Sequence, residues 1–261
     1  MMFPFEPLLA VFAVSVVAMT ATWELQRRTH NAGYVDVVWA ALMGGAAIFY
    51  SAVGAGSNAP RLLVAMLGGI WGFRLSLHLL SRVLHEAEDG RYRFLREHWG
   101  GSQLKFFGFF MLQAVMTAVF SLPFLVAASN PISNLGLCAL AAVVIWVFSL
   151  AGESIADSQL ARFRANPCNK GKTCRAGLWR YSRHPNYFFE WLHWFSYVLL
   201  SIGSPWWWLS LAGPVLMGVS LMWVSGIPFT EAQSLRSRGE DYRRYQRETS
   251  VFFPWFVKRG D

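Results

Sequence analysis

The sequence predicts an all-α, polytopic membrane protein: a bundle of seven transmembrane helices, with the N-terminus outside and the C-terminus cytoplasmic. Composition is the first observation. Of the 261 residues, 54% are hydrophobic and only 15% are charged. The second is spacing. The apolar residues fall into blocks of about twenty, the length that crosses ~30 Å of hydrocarbon at ~1.5 Å per helical residue. These blocks are roughly 3–22, 33–52, 61–81, 106–128, 132–156, 185–203 and 205–226. They use up most of the chain, so residues 1–261 read as a single seven-helix domain with no room for a soluble one. The third is charge placement. With seven spans, one side receives Arg27 and Arg28, then Arg82, Arg91, Arg93, Arg96 and Lys105. It also receives the seven cations from Arg162 to Arg183 and the seven from Arg236 to Arg259. Only Arg61 falls on the other side, and Arg74 lies inside a block. Positive loops stay cytoplasmic, which fixes the orientation. The net charge of +8 is thereby spent on topology and anionic headgroups, and nucleic acid is not implied.

The first block has no preceding Lys or Arg, so it reads as a retained span rather than a cleaved signal peptide. The second carries Asp36 about a turn inside it, with Trp39 one turn further on the same face. A carboxylate at that depth faces a cavity or a partner; a structural ion pair with Arg28 is the plainer reading. The third block holds Gly68-Gly69, which allow close helix contact, then Trp71. It ends in a stripe of Arg74, His78 and Arg82 at four-residue spacing. Asp36 and this stripe are expected to meet inside the bundle.

Gly90-Arg91-Tyr92-Arg93 follows at a turn, suited either to a phosphate or adenine contact or to a solvated face. His85-Glu86 lacks the second histidine of a zinc-protease motif. The fourth block is ordinary packing helix with the lone amide Gln113. The fifth ends with Glu153 and Asp157 one turn apart, a pair fit to hold ribose hydroxyls or to make surface ion pairs. Residues 162–183 read as a loop from their glycines, proline and asparagines, and carry seven cations into a helix start. Free N–H groups, the helix dipole and guanidiniums converge there on an anion. Acidic lipid or a phosphorylated cofactor would satisfy it.

Pro185 suits the first turn of the sixth helix and places Asn186, Glu190 and His193 on one face. Those groups mark a site or simply cap a boundary helix. After the seventh block, alternating Arg and Tyr predict an amphipathic helix and an aromatic tail, Phe252-Phe253-Pro254-Trp255, tucked under the bundle. Cys138, Cys168 and Cys174 support neither a disulfide framework nor a metal site. No dinucleotide-binding glycine fingerprint or P-loop occurs.

The run Arg175–Glu190, followed by Glu240-Asp241-Tyr242 and the Phe-Pro-Trp tail, resembles the bacterial branch of the membrane steroid 5α-reductases. Tyr34-Val35-Asp36-Val37-Val38-Trp39 and Asp89-Gly90-Arg91-Tyr92 fit the same branch. The Arg-His-Pro-Asn-Tyr core is shared with NADPH-dependent sterol reductases and with isoprenylcysteine carboxyl methyltransferases that use S-adenosylmethionine, so the core alone does not choose the reaction. The resemblance implies NADPH held by Asp157, Arg164, Asn186 and Glu190, with Arg91, Lys172, Arg175 and Tyr181 added by position. It implies reduction of the Δ4 bond of 3-oxo-Δ4-steroids to 5α-3-oxosteroids, hydride going to C5 and a proton to C4. The family's substrate-binding carboxylate falls near Asp36. Trp71 stands where the family has a tyrosine, leaving His78 or a protonated Asp36 as the expected proton donor. Glu231 and Leu235 stand near the C-terminal His and Tyr of animal members. The implied setting is a monomer in the bacterial inner membrane, with a steroid or sterol-like lipid substrate, membrane lipid, and no nucleic acid partner. A phosphate-free cofactor fits the seven cations less well than NADPH, which ranks the methyltransferase second. A transporter or lipid-binding protein would explain Asp36 and Arg74 without needing the cationic loop.

Overall fold

The computed structural model describes residues 3–224 and 226–257. Among them the regular elements are helical and none is a strand. In chain order they are α1 (Phe5–Thr29), α2 (Tyr34–Val53), α3 (Asn58–His85), α4 (Gly90–His98), α5 (Gln103–Phe120) and α6 (Leu122–Ala128). There follow α7 (Leu137–Ala165), α8 (Pro185–Ser201), α9 (Ala212–Val219), α10 (Ile227–Arg238) and α11 (Glu240–Glu248). Among the described residues six stretches are long and apolar enough to cross a membrane: Phe5–Thr29, Tyr34–Val53, Asn58–His85, Gln103–Ala128, Leu137–Ala165 and Trp207–Arg238. The chain is an all-helical integral membrane protein. The sixth apolar block forms α8, which starts at Pro185 as expected but has 17 residues. At ~1.5 Å per residue that is ~26 Å, at the short end of the ~17–25 residues that cross ~30 Å of hydrocarbon.

The contacts divide the chain into two compact units, Met1–Leu140 with Tyr197–Gly213, and Ala141–Ser196 with Pro214–Asp261. In the first, α2 and α3 pack with backbones nearly touching. A Cβ on Gly72 would lie 2.5 Å from the Gly44 nitrogen, and one on Gly68 would lie 2.5 Å from the Ala47 Cβ. Small residues permit this approach, which gains van der Waals contact where no hydrophobic force separates helix from lipid. Ser76 Oγ donates to the Val37 carbonyl across the same seam at 2.9 Å. Helix α1 lies on α5, where the fully buried Gln26 donates to Gln103 Oε1 at 2.8 Å.

In the second unit α7 runs to Ala165, so Arg162 and Arg164 sit on its last turn and not in a loop. The helix stops before Asn166-Pro167 because a residue preceding proline is disfavoured in the α region. The following segment is held to the C-terminal part by main-chain bonds: Arg183 N–H donates to the Ser250 carbonyl at 2.8 Å and Trp255 N–H to that of Tyr181 at 2.9 Å. Helix α11 buries Tyr242 and Tyr245. Only part of the aromatic tail tucks in as expected. Phe252 is buried against Phe188 and Trp191, whereas Phe253 and Trp255 are exposed. Lys258 and Arg259, counted in the charge asymmetry, lie outside the described residues.

Candidate functional site

In the first unit the chemistry gathers around Asp36. Its Oδ1 accepts a hydrogen bond from the Tyr92 phenol at 2.6 Å, and its Oδ2 accepts one from the Arg91 guanidinium at 3.2 Å. The local sequence explains the placement. Asp89 caps α4 by accepting the Arg91 N–H at 2.9 Å, a role short polar residues fill at helix starts. The first turn of α4 then presents Arg91 and Tyr92 side by side. Arg91 also bonds Asp89 Oδ1 through Nε at 3.1 Å, so one guanidinium joins two carboxylates. Glu88 fastens the element from the other side. It accepts the Ala32 N–H at 2.8 Å and pairs with Arg96 at 2.8 Å.

Burial raises the Asp89 pKa, but the charge and hydrogen bonds of Arg91 outweigh it and hold the carboxyl below its ordinary value. For Tyr92, burial and then the facing Asp36 charge push the phenol well above its ordinary value, so it keeps its proton. Burial alone would lower the Arg91 pKa; the charges of Asp36 and Asp89 reverse this and raise it. A cavity of about 30 Å³ adjoins the cluster, with Leu79 and Arg82 from α3 in its lining. That is room for about one water-sized group.

The pairing of Asp36 with Arg28 does not form; Arg28 bonds Glu24 instead. Of the stripe on α3, Arg82 reaches the Asp36 cavity, while His78 is exposed and absent from its lining. Trp71 is fully buried edge-on to Trp39, with ring centroids 6.2 Å apart. It lies eight residues, ~12 Å along the helix axis, before Leu79. The hydroxyl beside Asp36 comes from α4, as Tyr92, and not from the third helix. The Asp89-Gly90 turn and the basic-aromatic run after it were the signal. Arg91, assigned to the cofactor by position, belongs to this acid cluster.

In the second unit, Asn186 on the first turn of α8 donates through Nδ2 to Asp157 Oδ1 on α7 at 3.1 Å. Its Oδ1 is buried and accepts no hydrogen bond among the described residues. Glu190 lies one turn further along α8, and its carbonyl is 2.6 Å from His193 Nδ1. Arg164 and Lys172 are exposed, and Lys172 is in no ion pair among the described residues. Arg175 is already committed to acids, bonding Asp241 at 3.1 Å and Glu248 at 3.0 Å. Tyr181 lines a separate cleft together with Arg180.

Glu231 is the centre of a second network that the sequence showed only as a departure from the animal pattern. Its Oε1 lies 2.7 Å from Arg183 Nε, 3.3 Å from His184 Nε2 and 3.4 Å from the Tyr242 hydroxyl, and its Oε2 accepts from Gln246 at 2.7 Å. This one carboxylate fixes the Arg183-His184 entry to α8 against α10 and α11.

No metal-binding cluster of His, Cys, Asp or Glu occurs among the described residues. A protein of Schizosaccharomyces pombe, called only uncharacterized, is 26% identical over 95% of this chain and 80% of its own length. No solved structure matches the chain significantly. Residues 22–249 match the family described as "Protein of unknown function (DUF1295)", and the chain belongs to that family.

Proposed function

We propose that the protein is an NADPH-dependent membrane reductase of the steroid 5α-reductase type, saturating the Δ4 bond of 3-oxo-Δ4-steroids. The Asp36–Tyr92 pair carries this reading. A protonated phenol held by a carboxylate is the donor such a reaction needs at the substrate's 3-oxo oxygen, where negative charge develops as the enone is reduced. A preorganised donor of that kind is worth ~3–4 kcal/mol in comparable oxyanion sites. The adjoining cavity takes a group the size of one carbonyl oxygen. In this mechanism Tyr92 turns its O–H from Asp36 to the ketone oxygen. Arg91 then keeps the carboxylate neutralised and in place, and Asp89 holds Arg91. The C4 position takes a proton from water to complete the saturated ketone.

NADPH, when bound, supplies hydride to C5. The buried, unsatisfied Oδ1 of Asn186 fits a bound amide or hydroxyl donor. Asp157 orients that amide through its Nδ2, Glu190 continues the same face, and Arg164 and Lys172 would hold phosphates. Arg175 and Arg91, held by acids, are left out of the cofactor set. The proposed topology counts α8 as the sixth of seven spans, with the N-terminus outside and the C-terminus cytoplasmic. It places a monomer in the bacterial inner membrane.

Detergent-purified protein incubated with NADPH and a 3-oxo-Δ4-steroid should consume NADPH and release the 5α-saturated ketone. Tight S-adenosylmethionine binding with no NADPH consumption would replace this reading with the methyltransferase one.

A further inference from the structure

The second unit contains a cleft of about 530 Å³ that the proposed chemistry does not use. Phe148, Ala151 and Ile155 of α7 form one wall and Phe189 of α8 forms another. Gly152 lets the two meet: a Cβ there would lie 2.4 Å from the Phe189 ring. The apolar wall runs along α7 from Phe148 to Gln159, ~16 Å at the helical rise. At the Gln159 end the lining becomes polar, because Gln159 Oε1 accepts the Leu178 N–H at 2.9 Å and brings Arg180 and Tyr181 beside it.

Arg180 is exposed and in no ion pair among the described residues. Its neighbours differ. Arg175 is held by Asp241 and Glu248, and Arg183 by Glu231. A guanidinium standing over an apolar slot lacks only an anion. Depth is indicated by the tail, since Trp255 N–H bonds the Tyr181 carbonyl while Trp255, Phe253 and Phe256 stay exposed. An exposed Trp next to a basic end belongs at headgroup level. The cleft is also distinct from the proposed nucleotide residues. At 3.6 residues per turn, Glu153 and Asp157 lie on the opposite side of α7 from Phe148, Ile155 and Gln159.

We propose that this cleft holds an anionic phospholipid, with its phosphate on Arg180 and an acyl chain along Phe148 and Ile155. Charge and lining choose the occupant together: a zwitterionic lipid gains less from Arg180, and a soluble anion gains nothing from the apolar wall. The proposal rests on the membrane assignment and not on the reductase reading.

The test is native mass spectrometry of the full chain in detergent, incubated with equal amounts of phosphatidylglycerol and phosphatidylcholine. One phosphatidylglycerol should be retained roughly fivefold in preference, the value of about one cation at a membrane surface. Arg180→Lys should keep the preference and Arg180→Glu should abolish it. Ala151→Trp, filling an exposed part of the wall, should reduce retention of both lipids without shifting the thermal midpoint. Equal retention of the two lipids by the unaltered protein would overturn the proposal, as would a preference that survives Arg180→Glu. Displacement of the lipid by glycerol 3-phosphate alone would also overturn it.

Discussion

The Tyr92 phenol donates to Asp36 Oδ1 at 2.6 Å, joining the first turn of α4 to the first turn of α2. The carboxylate keeps a second partner in Arg91, so removing the phenol does not strand a charge. Tyr92→Phe should therefore fold and bind NADPH normally while losing turnover by about 10²–10³, the usual cost of an oxyanion donor. Asp36→Asn should lose turnover similarly. Steady-state kinetics with separate NADPH and steroid titrations check this. A rise in the NADPH KM with unchanged kcat would remove the pair from the reaction.

Nucleotide affinity should respond to different residues. Arg164→Ala, at the exposed end of α7, removes a charge-assisted contact of about 1.5–3 kcal/mol, or about 10–150-fold in NADPH affinity, with little change in kcat at saturation. Asn186→Ala should weaken NADPH as well, since the nucleotide's donor would lose the buried Oδ1 that accepts it. Arg175→Ala should instead lower stability more than affinity, because its partners are Asp241 and Glu248. Isothermal titration with NADPH beside thermal unfolding separates the two effects.

Six long apolar helices were legible because twenty-residue apolar blocks are a property of composition, read without tertiary information. Pro185 marked the start of α8, while the bond from Asn186 on it to Asp157 on α7 joins two helices whose spacing in the sequence says nothing of their meeting. What escaped was pairing between distant segments. Nothing local says that Asp36 prefers Arg91, 55 positions later, to Arg28, eight earlier; the Asp89 cap on α4 decides it. Loop residues misled for the converse reason. The glycine and proline content of 162–183 pointed to a loop throughout, yet the helix persists until Asn166-Pro167 makes it stop.

The α2–α3 seam gives a prediction about stability. A side chain on Gly72 would strike the Gly44 backbone, which cannot move aside as a flexible side chain can. Gly72→Val should cost about 1–3 kcal/mol by overpacking. It should lower the thermal midpoint in detergent and, by shifting α2, reduce turnover. Gly45→Ala is the control, since nothing lies within 4 Å of its added Cβ. It should be close to neutral.

Glu231 should behave as a structural hub. Glu231→Ala leaves Arg183, half buried, without its counter-ion and Gln246 Nε2 without its acceptor, although Arg183 Nη1 keeps the Gln246 carbonyl. The expected loss is about 1.5–3 kcal/mol, the range for hydrogen bonds to a charged group. Glu231→Gln retains an acceptor and should lose less. Limited proteolysis between α10 and α11 reads the loosening directly. Equal stability of all three proteins would mean the network does not fasten the entry to α8.

His184 links the same network to pH. The imidazole is buried and stacked on Tyr187 at 5.4 Å. Burial lowers its pKa below the ordinary 6.5; the hydrogen bond and charge of Glu231 oppose this, and Arg183 adds to the lowering. The unfolded chain, with an ordinary imidazole, therefore takes up a proton at a higher pH than the folded one. Stability is fully present above about pH 7 and declines as pH falls through about 6.5, continuing until the folded imidazole itself protonates. The thermal midpoint in detergent should drop over that interval, and His184→Gln, an uncharged replacement, should flatten the slope there. If the slope is the same with and without the imidazole, the acid sensitivity arises elsewhere.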